Sequence, residues 1–265
     1  MLKRFFIAMC LLSSSLSFGQ EVKKVFFNEA GDITIKDSAS YYTVYKQQKD
    51  GLYKMEVRDA KTGNLKSAGI CTSTDSKKKE GHFSYYTDNG YVKYEGDYLN
   101  NKEDGIWTHY YSDTKDVWYT VSYKEGKRSG DLKSYYKSGK LKRVESFLND
   151  TGSTGICYDE DGRTIPFTHF EKMPQCPYKL MEYLGNNIVY PSVARRKGIE
   201  GRVLITFIVK PNGAISDVKV KRGIGGGCDE VAQKVIEDMP NWNPGIMDDE
   251  KVSVWFTQPI SFKLE

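Results

Sequence analysis

"YPSVARRKGIEGRVLITFIVKPNG", residues 190–213, is a short basic helical stretch stopped by a glycine, then a very apolar strand, then a turn. Gly198 is the helix stop, because a glycine just past the last helical residue takes the left-handed conformation at no steric cost. In the strand, Val203, Ile205, Phe207 and Val209 alternate against Leu204, Thr206 and Ile208, so both faces are apolar, as expected of the most buried strand of a sheet. "KPNG" supplies turn chemistry, and "AISDVKVKR" follows as the partner strand. Upstream, "LMEYLGNNIVYPSVARRKG" carries apolar residues at helical intervals in two pieces around Tyr190 and Pro191. Downstream, "CDEVAQKVIEDM" is a second helix, with Asp229 and Glu230 in its first turn, where the helix dipole favours acids. "GIGGGC" before it has no Lys-Ser/Thr of a phosphate loop and is taken as a flexible entry to that helix. "VSVWFTQPISFKL" closes the chain as a strand with Val252, Val254, Phe256, Ile260, Phe262 and Leu264 on one face. The expected fold class is α+β: two helices, the first of them in those two pieces, on a three-stranded antiparallel sheet.

The middle of the chain has a different grammar. "EGHFSYYTDNGYVKYEGDYLNNK", "EDGIWTHYYSDTKDVWYTVSYKEGK" and "RSGDLKSYYKSGKLKRVESFLNDT" align on Gly81, Gly105 and Gly130, each followed about five residues later by a Tyr-Tyr pair, with a degenerate fourth start at Gly155. Spacings of 24, 25 and 25 residues mark a stacked array, each unit burying its face only against its neighbours. Aromatic runs broken by "DNG", "KEGK" and "KSGK" make each unit a β-hairpin, with Gly105 and Gly130 expected at equivalent turn positions.

At 265 residues the chain has room for two domains. "MLKRFFIAMCLLSSSLSFGQ" has Lys3 and Arg4, an apolar run and a small-residue end at Gly19, the layout of a secretory leader; the alternative, a membrane anchor, has an apolar stretch short of the roughly 20 residues a bilayer needs. The expected domains are therefore a signal peptide over 1–19, the β-repeat region over 20–165 and the α+β domain over 166–265. Without the leader the formal charge falls from +4 to +2 with acids and bases well mixed, which excludes a nucleic-acid footprint. His82, His109 and His169 are scattered and no Ser or Cys sits in a nucleophile motif, so no enzyme is read here, and no cofactor or metal is implied. Four cysteines remain in a compartment where disulfides persist. Cys176 and Cys228, flanking the helices of one small domain, are the candidate pair; the alternative is free or buried thiols, Cys71 and Cys157 included.

The repeat motif, over residues 40–160, resembles MORN-type repeats (membrane occupation and recognition nexus) and their bacterial relatives. Balanced charge without a basic stripe favours a β spacer or docking surface over lipid binding. The last hundred residues carry a more specific resemblance. Tyr190-Pro191, Ala194, Gly198-Ile199-Glu200-Gly201, the Asn212-Gly213 turn, Pro240, Trp242, Pro244-Gly245 and the final strand occur in the order seen in the carboxy-terminal domain of TonB, over residues 170–265.

That resemblance implies a periplasmic protein-binding module of transmembrane transport, docking on outer-membrane TonB-dependent receptors by β-strand pairing at the last strand. Carried over, the receptor-peptide residues are Val252, Ser253, Val254, Trp255, Phe256 and Thr257, with Asn186, Asn187, Tyr190 and Pro191 lying close to the contact. Pro259 suits an edge strand because it has no N–H to give a central ladder. TonB resembles a tether with a membrane helix that engages an ExbB–ExbD motor and a long proline-rich segment. This chain has eight prolines in all. An ExbB–ExbD-type partner and membrane association are therefore expected only if the leader is retained, and the chain is otherwise expected to be exported to the periplasm. The alternative function is a structural envelope scaffold or docking protein with no role in energy transduction.

Overall fold

The computed structural model describes residues 22–74 and 78–264; the leader expected over residues 1–19 lies outside the described residues. These fall into two compact units, one running to Leu141 and taking in Ser146–Thr151, the other made of Lys142–Glu145 and the chain from Gly152 onward.

The first unit is a strand array. β1 (Val22–Phe27), β2 (Tyr41–Gln47), β3 (Tyr53–Asp59), β4 (Leu65–Cys71), β5 (Lys79–Tyr86), β6 (Val92–Leu99), β7 (Lys102–Tyr110), β8 (Val117–Lys124) and β9 (Lys127–Tyr135) pair in chain order, each antiparallel to the next. The residues of β10 (Leu141–Leu148) are divided between the two units. Gly81, Gly105 and Gly130 do share one conformation, with φ of 66°, 70° and 109°. They sit inside β5, β7 and β9 rather than in turns, where the register slips against the preceding strand, so the glycine is the left-handed residue of a β-bulge. The turns between repeats are Asn100-Asn101 and Glu125-Gly126, with both φ values positive, the geometry a two-residue hairpin needs. One equivalent backbone bond recurs at each repeat end: Asn101 N to Lys79 O, Gly126 N to Glu103 O and Asp150 N to Arg128 O, at 2.8–3.0 Å.

Two residues after each bulge glycine comes a buried side chain, Phe83, Trp107 or Leu132. Phe83 and Trp107 lie over glycines of the preceding strand. A Cβ on Gly69 would come within 2.4 Å of the Phe83 ring, and one on Gly96 within 2.3 Å of the Trp107 ring. Tyr98 meets both rings edge-on, with centroids 5.3 and 5.1 Å away, so the core of the array is a run of interlocked aromatics.

The second unit continues with β11 (Thr151–Tyr158), β12 (Thr164–Ile165), β13 (Glu171–Lys172), α1 (Leu180–Asn187), α2 (Ser192–Lys197), β14 (Gly201–Val209), β15 (Ile215–Arg222), α3 (Cys228–Glu237), β16 (Gly245–Met247), β17 (Glu250–Val252) and β18 (Val254–Phe262). Its main sheet has the order β15-β14-β18, fully antiparallel, with β14 in the centre; a second small sheet has the order β13-β16-β17. Val203, Ile205, Phe207 and Val209 are completely buried under Leu184, Ala194, Ala232, Val235 and Ile236 of the helices. The first helix is broken into α1 and α2, and Gly198 ends α2 with φ of 63°, its N–H reaching back into the last turn. "GIGGGC" is closely packed at Gly226. A Cβ on Gly226 would come 2.8 Å from Ile199 Cδ1 and 3.1 Å from Ala194 Cβ, and the Asp229 carboxylate accepts from Ile224 N and Gly225 N at 2.8 and 3.1 Å.

Candidate functional site: the open edge of the second sheet

β18 pairs with β14 in unbroken register from Val254↔Val209 to Phe262↔Gly201, and among the described residues no strand pairs with its other side. Its alternation turns Val254, Phe256, Ile260 and Phe262 inward and leaves Trp255, Thr257, Pro259 and Ser261 exposed. Trp255, opposite Ile208, keeps 57% of its surface accessible, a large aromatic beside a half-buried aliphatic. From Ser253 to Phe262 the strand carries no charged residue.

The opposite edge, β15, is built differently. It carries Asp217, Lys219, Lys221 and Arg222, and its pairing with β14 is interrupted by two register irregularities. Charges and bulges are the devices that keep an edge strand from accepting another strand, and β18 lacks both. It has one blunt point. Pro259 has no N–H, and its carbonyl accepts from Gln258 Nε2 at 3.0 Å, so main-chain pairing along this edge runs out there.

The closing run is not one strand. Val252 is the last residue of β17, paired with Gly245 in the small sheet; Ser253 is the link, and of the expected contact residues Val254 to Thr257 lie on β18. Leu264 lies beyond β18 and is partly exposed. Of the other expected contact residues, Tyr190 lies at the far end of β18. The Tyr190 ring packs against Phe262, at the end of β18 remote from Val254, and its hydroxyl donates to Ile199 O at 2.6 Å. Pro191 precedes α2 and faces the glycine loop, Asn187 Nδ2 donates to Tyr183 O at the end of α1, and Asn186 is exposed beside it.

The bridge expected between Cys176 and Cys228 is absent: all four described cysteines are free thiols. Cys176 Sγ contacts Tyr178 O at 3.1 Å, whereas Cys228 is completely buried at the start of α3. Burial pushes the Cys228 thiol above its ordinary range, and Asp229 and Glu230 add to the shift.

An ion cluster that sequence reasoning missed lies at the turn between β16 and β17. Asp248 and Asp249 both have positive φ, 50° and 70°. Arg143, only 1% exposed, places Nη1 2.8 Å from Asp248 Oδ1 and Nη2 2.9 Å from both oxygens of Asp249, with Thr168 Oγ1 at 3.0 Å. Lys142 Nζ donates to Asp248 O at 2.8 Å and lies 3.3 Å from a carboxylate oxygen of each aspartate. Burial works against charge on Asp249, but Arg143, Thr168 and Lys142 outweigh it and hold the carboxyl below its ordinary range. Two steps along β10, buried Glu145 accepts from His169 Nδ1 and Phe170 N, both at 2.7 Å.

The small α+β domain therefore has one charged, bulged sheet edge and one uncharged, open edge. Residues 186–264 match the family model of the Gram-negative bacterial TonB protein C-terminal, so this part of the chain is similar to a TonB C-terminal domain. An NMR solution structure of the Helicobacter pylori TonB C-terminal domain is similar at 22% identity, over 32% of this chain and 77% of that chain, with a TM-score of 0.26. No curated protein matches the chain significantly. No helix among the described residues is long and apolar enough to cross a membrane.

Proposed function

We propose that the second unit is a periplasmic protein-binding module that takes an extended segment of an outer-membrane TonB-dependent receptor onto the open edge of β18. The observation that carries this reading is the asymmetry of the two edges: β15 is guarded by Lys219, Lys221 and Arg222, while β18 is uncharged from Ser253 to Phe262. Added strands gain affinity from main-chain bonds and selectivity from alternate side chains. Trp255 and Thr257 are the outward residues of the unobstructed half, and Pro259 ends it, which leaves room for a short peptide. A motor partner of the ExbB–ExbD type joins this reading only with an uncleaved leader.

A short edge of this kind gives micromolar binding, about −8 kcal/mol. The test is an NMR titration of the full chain with a peptide from the periplasmic plug segment of a cognate receptor. Saturable amide shifts are expected along Val254 to Thr257, and Trp255→Ala should weaken binding about tenfold. Shifts confined to α1, α3 or the strand array, with Val254 to Thr257 unmoved, would overturn the edge mechanism.

A further inference from the structure

The cluster around Arg143 has no part in the edge itself, yet it grips the turn from which the chain enters that edge. Only β17 and Ser253 separate Asp249 from Val254. Among the described residues β17 is three residues long and pairs only with β16, itself three residues long and backed by the two-residue β13, so this hairpin has a short ladder. Its tip is fastened elsewhere: by the Arg143 fork on both carboxylates, by Lys142 on the Asp248 carbonyl, and by Asp248 N donating to Phe170 O at 2.7 Å. Arginine suits this place because its planar fork fixes two acceptors at once, which a point charge does not. A nearly inaccessible guanidinium also has no water to fall back on, so the arrangement has one satisfied geometry rather than several.

We propose that Arg143, assisted by Lys142, is a positioning residue of the binding edge: it fixes the Asp248-Asp249 turn, and through β17 the place where β18 begins, so the working module starts at Lys142, well upstream of residues 186–264. The positioning role rests on the reading of β18 as the docking edge; the anchoring does not. The chemistry is that of a two-point electrostatic clamp, and it is specific to the guanidinium. Lysine at this position would keep the charge and lose the second contact.

The experiment compares the full wild-type chain with Arg143→Met, Arg143→Lys and Asp249→Asn, by amide hydrogen exchange and by titration with the same receptor peptide. The expected result for Arg143→Met is at least tenfold faster exchange over residues 248–257 with Val203 to Phe207 still protected, and peptide affinity lowered about tenfold. Arg143→Lys should fall between. If Arg143→Met does not fold, Arg143→Lys and Asp249→Asn carry the same comparison. Unchanged protection of 248–257 in the folded variants would overturn the anchoring. Faster exchange with unchanged affinity, while Trp255→Ala still weakens binding about tenfold, would overturn the positioning role. A wild-type chain that does not bind at β18 brings down the docking reading instead, and the exchange data still decide whether Arg143 holds the turn.

Discussion

Tyr190 meets Phe262 edge to face, with ring centroids 5.6 Å apart and planes at 87°. Phe262 lies at one end of β18 and Val254 at the other, and eight steps of about 3.3 Å put those ends roughly 26 Å apart. The Tyr-Pro pair is thereby a fastening between the first helix and the end of the sheet, remote from the unobstructed half of the edge.

Stability and binding should therefore separate. Tyr190→Phe removes the bond to Ile199 O and should cost about 1 kcal/mol; Tyr190→Ala also empties the contact with Phe262 and should cost about 2–3 kcal/mol. Neither should change receptor-peptide affinity in the variants that stay folded, whereas Trp255→Ala should lower affinity at unchanged stability. Chemical denaturation and titration of the same samples check this, and equal affinity losses at both positions would contradict it.

In the array, two kinds of glycine should respond differently to alanine. Gly105 has φ of 70° and open space around an added Cβ, so Gly105→Ala should cost about 1 kcal/mol of backbone strain. A Cβ on Gly96 would come 2.3 Å from the Trp107 ring, so Gly96→Ala should cost about 2–3 kcal/mol by displacing the indole. Near-ultraviolet circular dichroism should report the loss of tryptophan packing in the second variant and not in the first.

Acid should loosen the array through His109. Its ring is stacked between Tyr94 and Tyr119, centroids 5.1 and 4.1 Å away, and burial, helped by Lys93, holds its pKa down to about 4 from an ordinary 6.5. Below pH 6.5 the unfolded chain takes up a proton that the folded chain refuses, so stability falls as the pH drops from 6.5 toward 4. The loss at pH 5 amounts to about 2 kcal/mol. His109→Phe should flatten this part of the profile, measured as the urea midpoint of the array at pH 7 and pH 5.

Thiol chemistry should follow burial. Cys176, the half-buried one, should alkylate in the native chain without prior reduction, while Cys71, Cys157 and Cys228 should react only on unfolding. Burial also pushes the Cys71 thiol above its ordinary range, which lowers its reactive fraction further. Recovery of Cys176 linked to any other cysteine in unreduced peptide maps would contradict the free thiols.

What could be read from sequence is what neighbours along the chain decide. The alternation of residues 203–209, the stop at Gly198 and the repeat of Gly81, Gly105 and Gly130 are period and turn effects that act over a few residues, and they mark the central strand, the helix end and the array without any tertiary information. Even there the sequence does not separate a turn glycine from a bulge glycine, because both ask for positive φ and only the register of the paired strand tells them apart.

What only the tertiary structure decided depends on partners far away in sequence. Arg143 and Asp248 are 105 residues apart, and nothing local to "KRVES" or "MDDEK" marks them as a pair. The break at Ser253 arises because Val252 finds Gly245 while Val254 finds Val209, a choice of partner that leaves no trace in an unbroken apolar alternation. The separate burial of Cys228 under the helices and the pairing of Tyr190 with the far end of β18 follow from how the elements pack. Local propensity sets which elements form, but strand order and register set which side chains meet, and those are settled only when the whole unit folds.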